Sequence, residues 1–209
     1  MQAARRQAAA MHGVLFLILL AVFMVGLPLP WPLYLLLPLL IYAGVVLVVP
    51  LLRRTAPRLT LGRMAGGPLA ATVALSVATT IALIGFQKLA RADMADLAAR
   101  LPNAAVEYLV LAAVCFSITN ALLEELIFRG ILWELVASER GNVTALIVTS
   151  ALFGAFHFHG YPPGLIGAIL AGLYGLALGL LRWWTGGLGL VVVCHMCADA
   201  TIFGLLIYS

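Results

Sequence analysis

Residues 104–137 read AAVEYLVLAAVCFSITNALLEELIFRGILWELVA. The run is longer and more apolar than the about 20 residues a helix needs to cross a bilayer. Its middle nevertheless carries Glu124, Glu125 and Arg129. A charged side chain deep in a span costs about 2.5–3.5 kcal/mol on insertion scales, so three of them require a reason.

Working outward, comparable apolar runs occupy 14–29, 33–52, 68–89, 143–158, 164–184 and 188–208. Prolines 28, 30 and 32 end the first, and no cleavage signature follows it, so it is expected to be a retained span. The 209 residues are 64% hydrophobic and only 10% charged, with a mean hydropathy of +1.12. A soluble domain has about half its residues apolar and about a quarter charged, so the bilayer must be the solvent for most of this chain. The expected fold is all-α: one polytopic transmembrane bundle of about seven spans, with the active site inside its C-terminal helices. Residues 1–103 supply N-terminal helices and a basic loop, and 104–209 the functional core, within one integrated membrane domain.

The net charge of +4 does not point to nucleic acid, because the cations sit at loop edges. Arg53, Arg54, Arg58 and Arg63 make the loop after the second run cytoplasmic, and Arg5 and Arg6 place the N-terminus on the same side. The expected location is the cytoplasmic (inner) membrane, with the lipid bilayer itself as a partner. Lys88, Arg91, Asp93, Asp96 and Arg100 mark an interfacial stretch. Cys194 and Cys197 bracket His195 inside an apolar run, where packing is the expected role rather than redox or metal chemistry. Gly167, Ala171, Gly175 and Gly179 recur every fourth residue, a spacing that lets helices approach closely. Trp133 and Glu134 read as a helix-end anchor and a solvated charge, and His159 as an interfacial residue.

Helical geometry sorts the buried charges. Glu125 and Arg129 are i and i+4, share a face and can pair. Glu124 is rotated about 100° away and lacks that partner. An unpaired buried carboxyl suits proton transfer near neutral pH. Asn120 lies one turn before Glu124 and can orient it. His195 and Asp199 are again i and i+4 and project together. At 1.5 Å per residue, Glu124 and His157 lie roughly 20 Å from the cytoplasmic ends of their spans, His195 roughly 10 Å and Asp199 roughly 17 Å. The four can therefore converge.

Glu124-Glu125-Leu126-Ile127-Phe128-Arg129 matches an EExxxR motif, Phe153 to His157 matches FxxxH, and His195 to Asp199 matches Hxxx(N/D). In that order, on successive membrane helices, they resemble the CPBP family of glutamic intramembrane proteases. That family includes the CAAX prenyl endopeptidases of the Rce1 type and many bacterial relatives. The resemblance covers about residues 104–207. It implies that Glu124 and His157 hold and deprotonate a water, that His195 and residue 199 stabilise an oxyanion, and that Glu125 and Arg129 brace the site, with no cofactor and no metal. It implies a membrane-anchored protein or peptide substrate, cleaved at a C-terminal CAAX-like or sorting segment. The best-known relatives carry Asn where this chain has Asp199. An ionised carboxylate cannot donate to an oxyanion, so Asp199 must carry a proton or act by orienting His195; the second role is expected.

Three other functions compete. A zinc protease could use Glu124, His157 and His195, although no HExxH occurs. A non-catalytic scaffold or immunity protein would not need the unpaired carboxylate. A proton-coupled transporter would be expected to show an inverted repeat, whereas the ionisable groups cluster in the C-terminal half.

Overall fold

The computed structural model describes residues 2–99, 101 and 103–208, with the side chains of 2–6 and 96 outside that description. Arg5, Arg6, Asp96 and Arg100, used above for topology, thus lie outside the described side chains. Among the described residues the chain is helical and contains no strand.

Helix α1 (Gln2–Leu20) runs on through a π-helical turn, Ala21–Gly26. The Pro28–Pro32 segment then stops it, since proline cannot continue a helical ladder. Helix α2 (Leu33–Val48) is followed by the short α3 (Pro50–Arg54). The expected second span, 33–52, is therefore divided: Val49 is extended (φ −94°, ψ 107°), as the residue before a proline tends to be. Helix α4 covers Gly67–Ala90 and the short α5 Ala95–Ala98. Helix α6 (Val106–Glu125) passes without a break into a π-helical segment, Leu126–Leu132, and then α7 (Trp133–Arg140). Gly141, at φ +83°, turns the chain into α8 (Asn142–Phe156), which ends in a 3₁₀ turn, His157–His159. Helices α9 (Gly164–Thr185) and α10 (Gly189–Ile207) complete the bundle. Six helical stretches among the described residues are long and apolar enough to cross a membrane, and α2 is a shorter apolar one. The protein is a multi-pass membrane protein.

Hydrogen bonds across loops fix which ends lie together. The backbone N–H of Arg63 donates to Thr185 O at 2.9 Å, and that of Leu188 donates to Thr60 O at 2.8 Å. The arginine-rich loop and the α9–α10 turn therefore share one face. At the opposite ends, the Tyr161 hydroxyl donates to Gln87 Oε1 at 2.6 Å. Burial pushes that hydroxyl's pKa up, which keeps it a donor.

The glycine stripe of α9 packs against α8. A Cβ at Gly175 would lie 3.0 Å from Arg129 Nη2 and 3.3 Å from Phe153 Cδ1. A Cβ at Gly179 would meet Leu146 and lie 3.4 Å from Trp133. From the facing helix, a Cβ at Gly154 would lie 2.5 Å from the Ala168 carbonyl oxygen. The close backbone approach sets α8 and α9 at a fixed depth against α6. Phe128 and Phe153, both buried and edge-to-face at 5.2 Å, lie in the apolar layer between them.

Candidate active site

Helices α6 and α10 run antiparallel, and three successive turns of one meet three of the other. Phe116 stacks near Phe203 at 5.7 Å between ring centres. Asn120 Nδ2 donates to Asp199 Oδ2 at 3.2 Å. Glu124 Oε2 lies 3.8 Å from His195 Nε2. The i, i+4 spacing on each helix makes this register possible, because it keeps one row of side chains on one face. The polar row is buried: Asn120, Glu124, Glu125, Arg129, His195 and Asp199 each expose less than a tenth of their surface.

Glu125 and Arg129 pair as their spacing requires, Arg129 Nη1 donating to Glu125 Oε1 at 3.0 Å. Both side chains are fully buried. Arg129 also donates from Nη2 to the Gly175 carbonyl at 3.0 Å, and its guanidinium lies 4.3 Å above the centre of the Phe153 ring. A buried charge needs this many partners, since desolvation otherwise outweighs the Coulombic attraction. The same Glu125 Oε1 lies 2.7 Å from His195 Nδ1. The carboxylate that holds His195 by Nδ1 is thus Glu125. Asp199, expected above to orient that ring, instead faces its other nitrogen, with Oδ1 3.6 Å from Nε2. The reason is register: one turn separates Asp199 from His195 along α10, whereas Glu125 reaches the ring from the neighbouring helix.

His157 enters from the end of α8. Its Nδ1 lies 2.7 Å from the Phe153 carbonyl oxygen, so Nδ1 carries the proton that it donates there. Nε2 then faces Glu124 Oε2 at 3.7 Å. The α-helix ends at Phe156, where the chain tightens into the 3₁₀ turn, and this leaves the Phe153 carbonyl free to accept from the imidazole. The Phe153 ring lies 4.2 Å from the His157 ring and 5.6 Å from that of His195. His157 is the accessible edge of the cluster, its side chain a quarter exposed. Glu124 Oε2, facing both imidazole Nε2 atoms, has no hydrogen-bond partner among the described residues, while Oε1 accepts from Asn120 at 3.3 Å.

The structure thus gathers Glu124, Glu125, Arg129, His157, His195, Asp199, Asn120 and Phe153 in one place. His159 stays outside it, beside Phe158. Cys194 is buried against Tyr174 and Ser76, and all three cysteines are free. Two expectations change at the other end of α6–α7. Trp133 is buried under α9 rather than anchored at an interface, and Glu134 accepts from Arg182 at 2.6 Å. Arg182, unremarked in the sequence, is a charge within a span, and its Nε donates to the Arg129 carbonyl at 3.1 Å. Trp31 was equally hidden: its Nε1–H donates to Asn120 Oδ1 at 3.1 Å from a residue 89 positions away.

Residues 106–201 match the family described as type II CAAX prenyl endopeptidase Rce1-like. This segment of the chain is similar to that family. Neither a curated protein nor a solved structure matches the chain. The matched segment begins at the first residue of α6 and ends within α10, and it includes Asn120, Glu124, Glu125, Arg129, Phe153, His157, His195 and Asp199 but not Trp31. The description of that family names an endopeptidase.

Proposed function

We propose that the chain is a glutamic-type intramembrane endopeptidase in which Glu124 and His157 activate a water. Residues 104–209 form the catalytic core, and 1–103 buttress it. The supporting observation is Glu124 Oε2, a buried carboxylate oxygen with no hydrogen-bond partner among the described residues, facing imidazole nitrogens at 3.7 and 3.8 Å. Those separations exceed a hydrogen bond but suit one bridging water.

The Nδ1–H of His157 is committed to the Phe153 carbonyl, so its Nε2 presents a lone pair to that water. Glu124 takes one water proton as the oxygen attacks the substrate carbonyl carbon. The π pair moves onto the carbonyl oxygen. His195, doubly protonated with Nδ1–H on Glu125, donates from Nε2 to the oxyanion. Asp199 carries a proton on Oδ1 and donates from the same side. Its Oδ2 already accepts from Asn120, so Oδ1 is the oxygen free to do so. Collapse reforms the C=O bond and breaks the C–N bond, and Glu124 returns its proton to the leaving amine. Charge balance supports these protonation states. Three carboxyls surround one guanidinium, so two further protons neutralise a cluster that the bilayer would otherwise penalise.

The accessible edge at His157 lies on the Tyr161 side, opposite the arginine-rich loop. By the positive-inside rule that loop is cytoplasmic, so the site opens toward the external half of the cytoplasmic membrane. This favours a C-terminal sorting-type anchor on an exported protein over a prenylated cytoplasmic one. The test is reconstitution with two reporters, one ending in an unprenylated membrane anchor and one a farnesylated CAAX peptide. Cleavage of either that is lost in Glu124→Gln supports the endopeptidase reading. Equal cleavage by both proteins overturns it.

A further inference from the structure

The indole of Trp31, in the N-terminal half, reaches the cluster through its hydrogen bond to Asn120. It lies in the segment between α1 and α2, outside the matched residues 106–201. We infer that Trp31 is a positioning residue of the site: it fixes the Asn120 amide so that this amide donates to both Glu124 and Asp199. The inference rests on reading the cluster as catalytic.

An indole N–H is a donor only, so Oδ1 is the single Asn120 atom it can bind. That bond leaves Nδ2, which points at Glu124 Oε1 at 3.3 Å and Asp199 Oδ2 at 3.2 Å. An amide turned over would set Oδ1 against two carboxyl oxygens and leave the indole without an acceptor. Trp31 thereby decides which Asp199 oxygen is occupied as an acceptor, and so leaves Oδ1 beside His195 Nε2. The ring is held in turn by Phe116, 4.9 Å away, itself stacked toward Phe203. Trp31 is more than a third exposed and stands at the end of the α1–α2 hairpin, while α6 continues some 14 residues, roughly 21 Å, beyond Asn120 toward its own N-terminus. A residue serving packing alone would not need its polar atom aimed inward from such an exposed place.

The test uses the full chain, labelled with ¹⁵N in its four indoles and held in lipid nanodiscs. The indole signal missing in Trp31→Phe identifies Trp31. It is expected to shift in Asn120→Ala and to stay in place in His159→Ala. Against the reporters named above, Trp31→Phe is expected to lower kcat roughly three- to tenfold, the size of one hydrogen bond's net contribution, with KM within about twofold. Trp31→His, which restores a ring N–H, is expected to recover part of the loss. An indole signal indifferent to Asn120→Ala overturns the inference, as does wild-type kcat in Trp31→Phe or a change in KM alone. If Glu124→Gln leaves cleavage untouched, the catalytic reading fails, and the indole shift still decides whether Trp31 holds Asn120.

Discussion

Glu125 holds His195 by Nδ1 across the α6–α10 interface at 2.7 Å, and so dictates that Nε2 is the nitrogen turned toward Glu124 and Asp199. One carboxylate oxygen serves both this imidazole and Arg129. The consequence is a split between the two members of the EE pair: Glu125 is bonded to Arg129 and His195, and Glu124 Oε2 makes no hydrogen bond among the described residues, as the proposed general base requires.

Arg129→Ala should therefore cost more stability than any other single change in the cluster. It leaves the buried cluster with one uncompensated negative charge, an effect of about 3–5 kcal/mol. Arg129→Lys keeps the charge but loses the planar contact with Phe153 and the fork that reaches Gly175 O as well as Glu125. Thermal unfolding in detergent should rank wild type above Lys and Lys above Ala. A wild-type melting curve for Ala would contradict the pairing.

Glu124→Gln should behave in the opposite way. Its Oε2 makes no hydrogen bond among the described residues, and the cluster stays neutral by releasing one of its two added protons, so the amide should lower the melting temperature much less than Arg129→Ala does. Loss of the general base should lower cleavage by at least roughly 100-fold. A scaffold or immunity protein would keep its cellular function in this variant, so complementation of a deletion strain separates the classes. Strong chelators should leave cleavage intact; inhibition reversed by zinc would favour the metal alternative.

Asp199→Asn should retain activity, because an amide can supply the donor that the protonated carboxyl supplies at Oδ1. Its cleavage should also persist at alkaline pH, where ionisation of Asp199 removes the donor from the wild type. Asp199→Ala should lose activity at every pH, leaving Asn120 Nδ2 one acceptor short. Loss of activity in Asp199→Asn would mean that the negative charge itself is required. The pH profiles of kcat/KM for the three proteins make the distinction.

Much of this was legible in the chain. That Arg129 pairs with Glu125 and not with Glu124 follows from helical spacing within one run, and spacing survives folding. The meeting of Glu124 with His157 follows from their equal expected depth of roughly 20 Å, whereas His195, expected roughly 10 Å deep, nevertheless meets Glu124 in the structure. What spacing cannot encode is contact between distant segments. Trp31 sits among prolines that read as a loop, with nothing local to tie it to Asn120. The role expected of Asp199 fell to Glu125 because sequence proximity on α10 favoured the i, i+4 neighbour over a residue on another helix. Arg182 had a readable signal, a charge inside an apolar run, and the burial argument applied to Glu124 applies equally to it.

The α8–α9 contact offers a final test, because it sets the height of His157 and of the Gly175 carbonyl together. At Gly154 a new Cβ would meet the Ala168 carbonyl oxygen at 2.5 Å, and a backbone atom cannot swing aside. At Gly172, in the same interface, the nearest atom would be Ser150 O at 3.7 Å, an ordinary contact. Gly154→Ala should thus cost about 1–3 kcal/mol through overpacking, while Gly172→Ala should be tolerated. Because forcing α8 from α9 also moves His157 away from Glu124 and Gly175 O away from Arg129, Gly154→Ala should lower cleavage even at temperatures where it remains folded. Melting curves and cleavage rates measured on both variants decide the matter. Equal stability of the two would show that the helices can separate without strain, and that the glycine at 154 does not set the depth of the site.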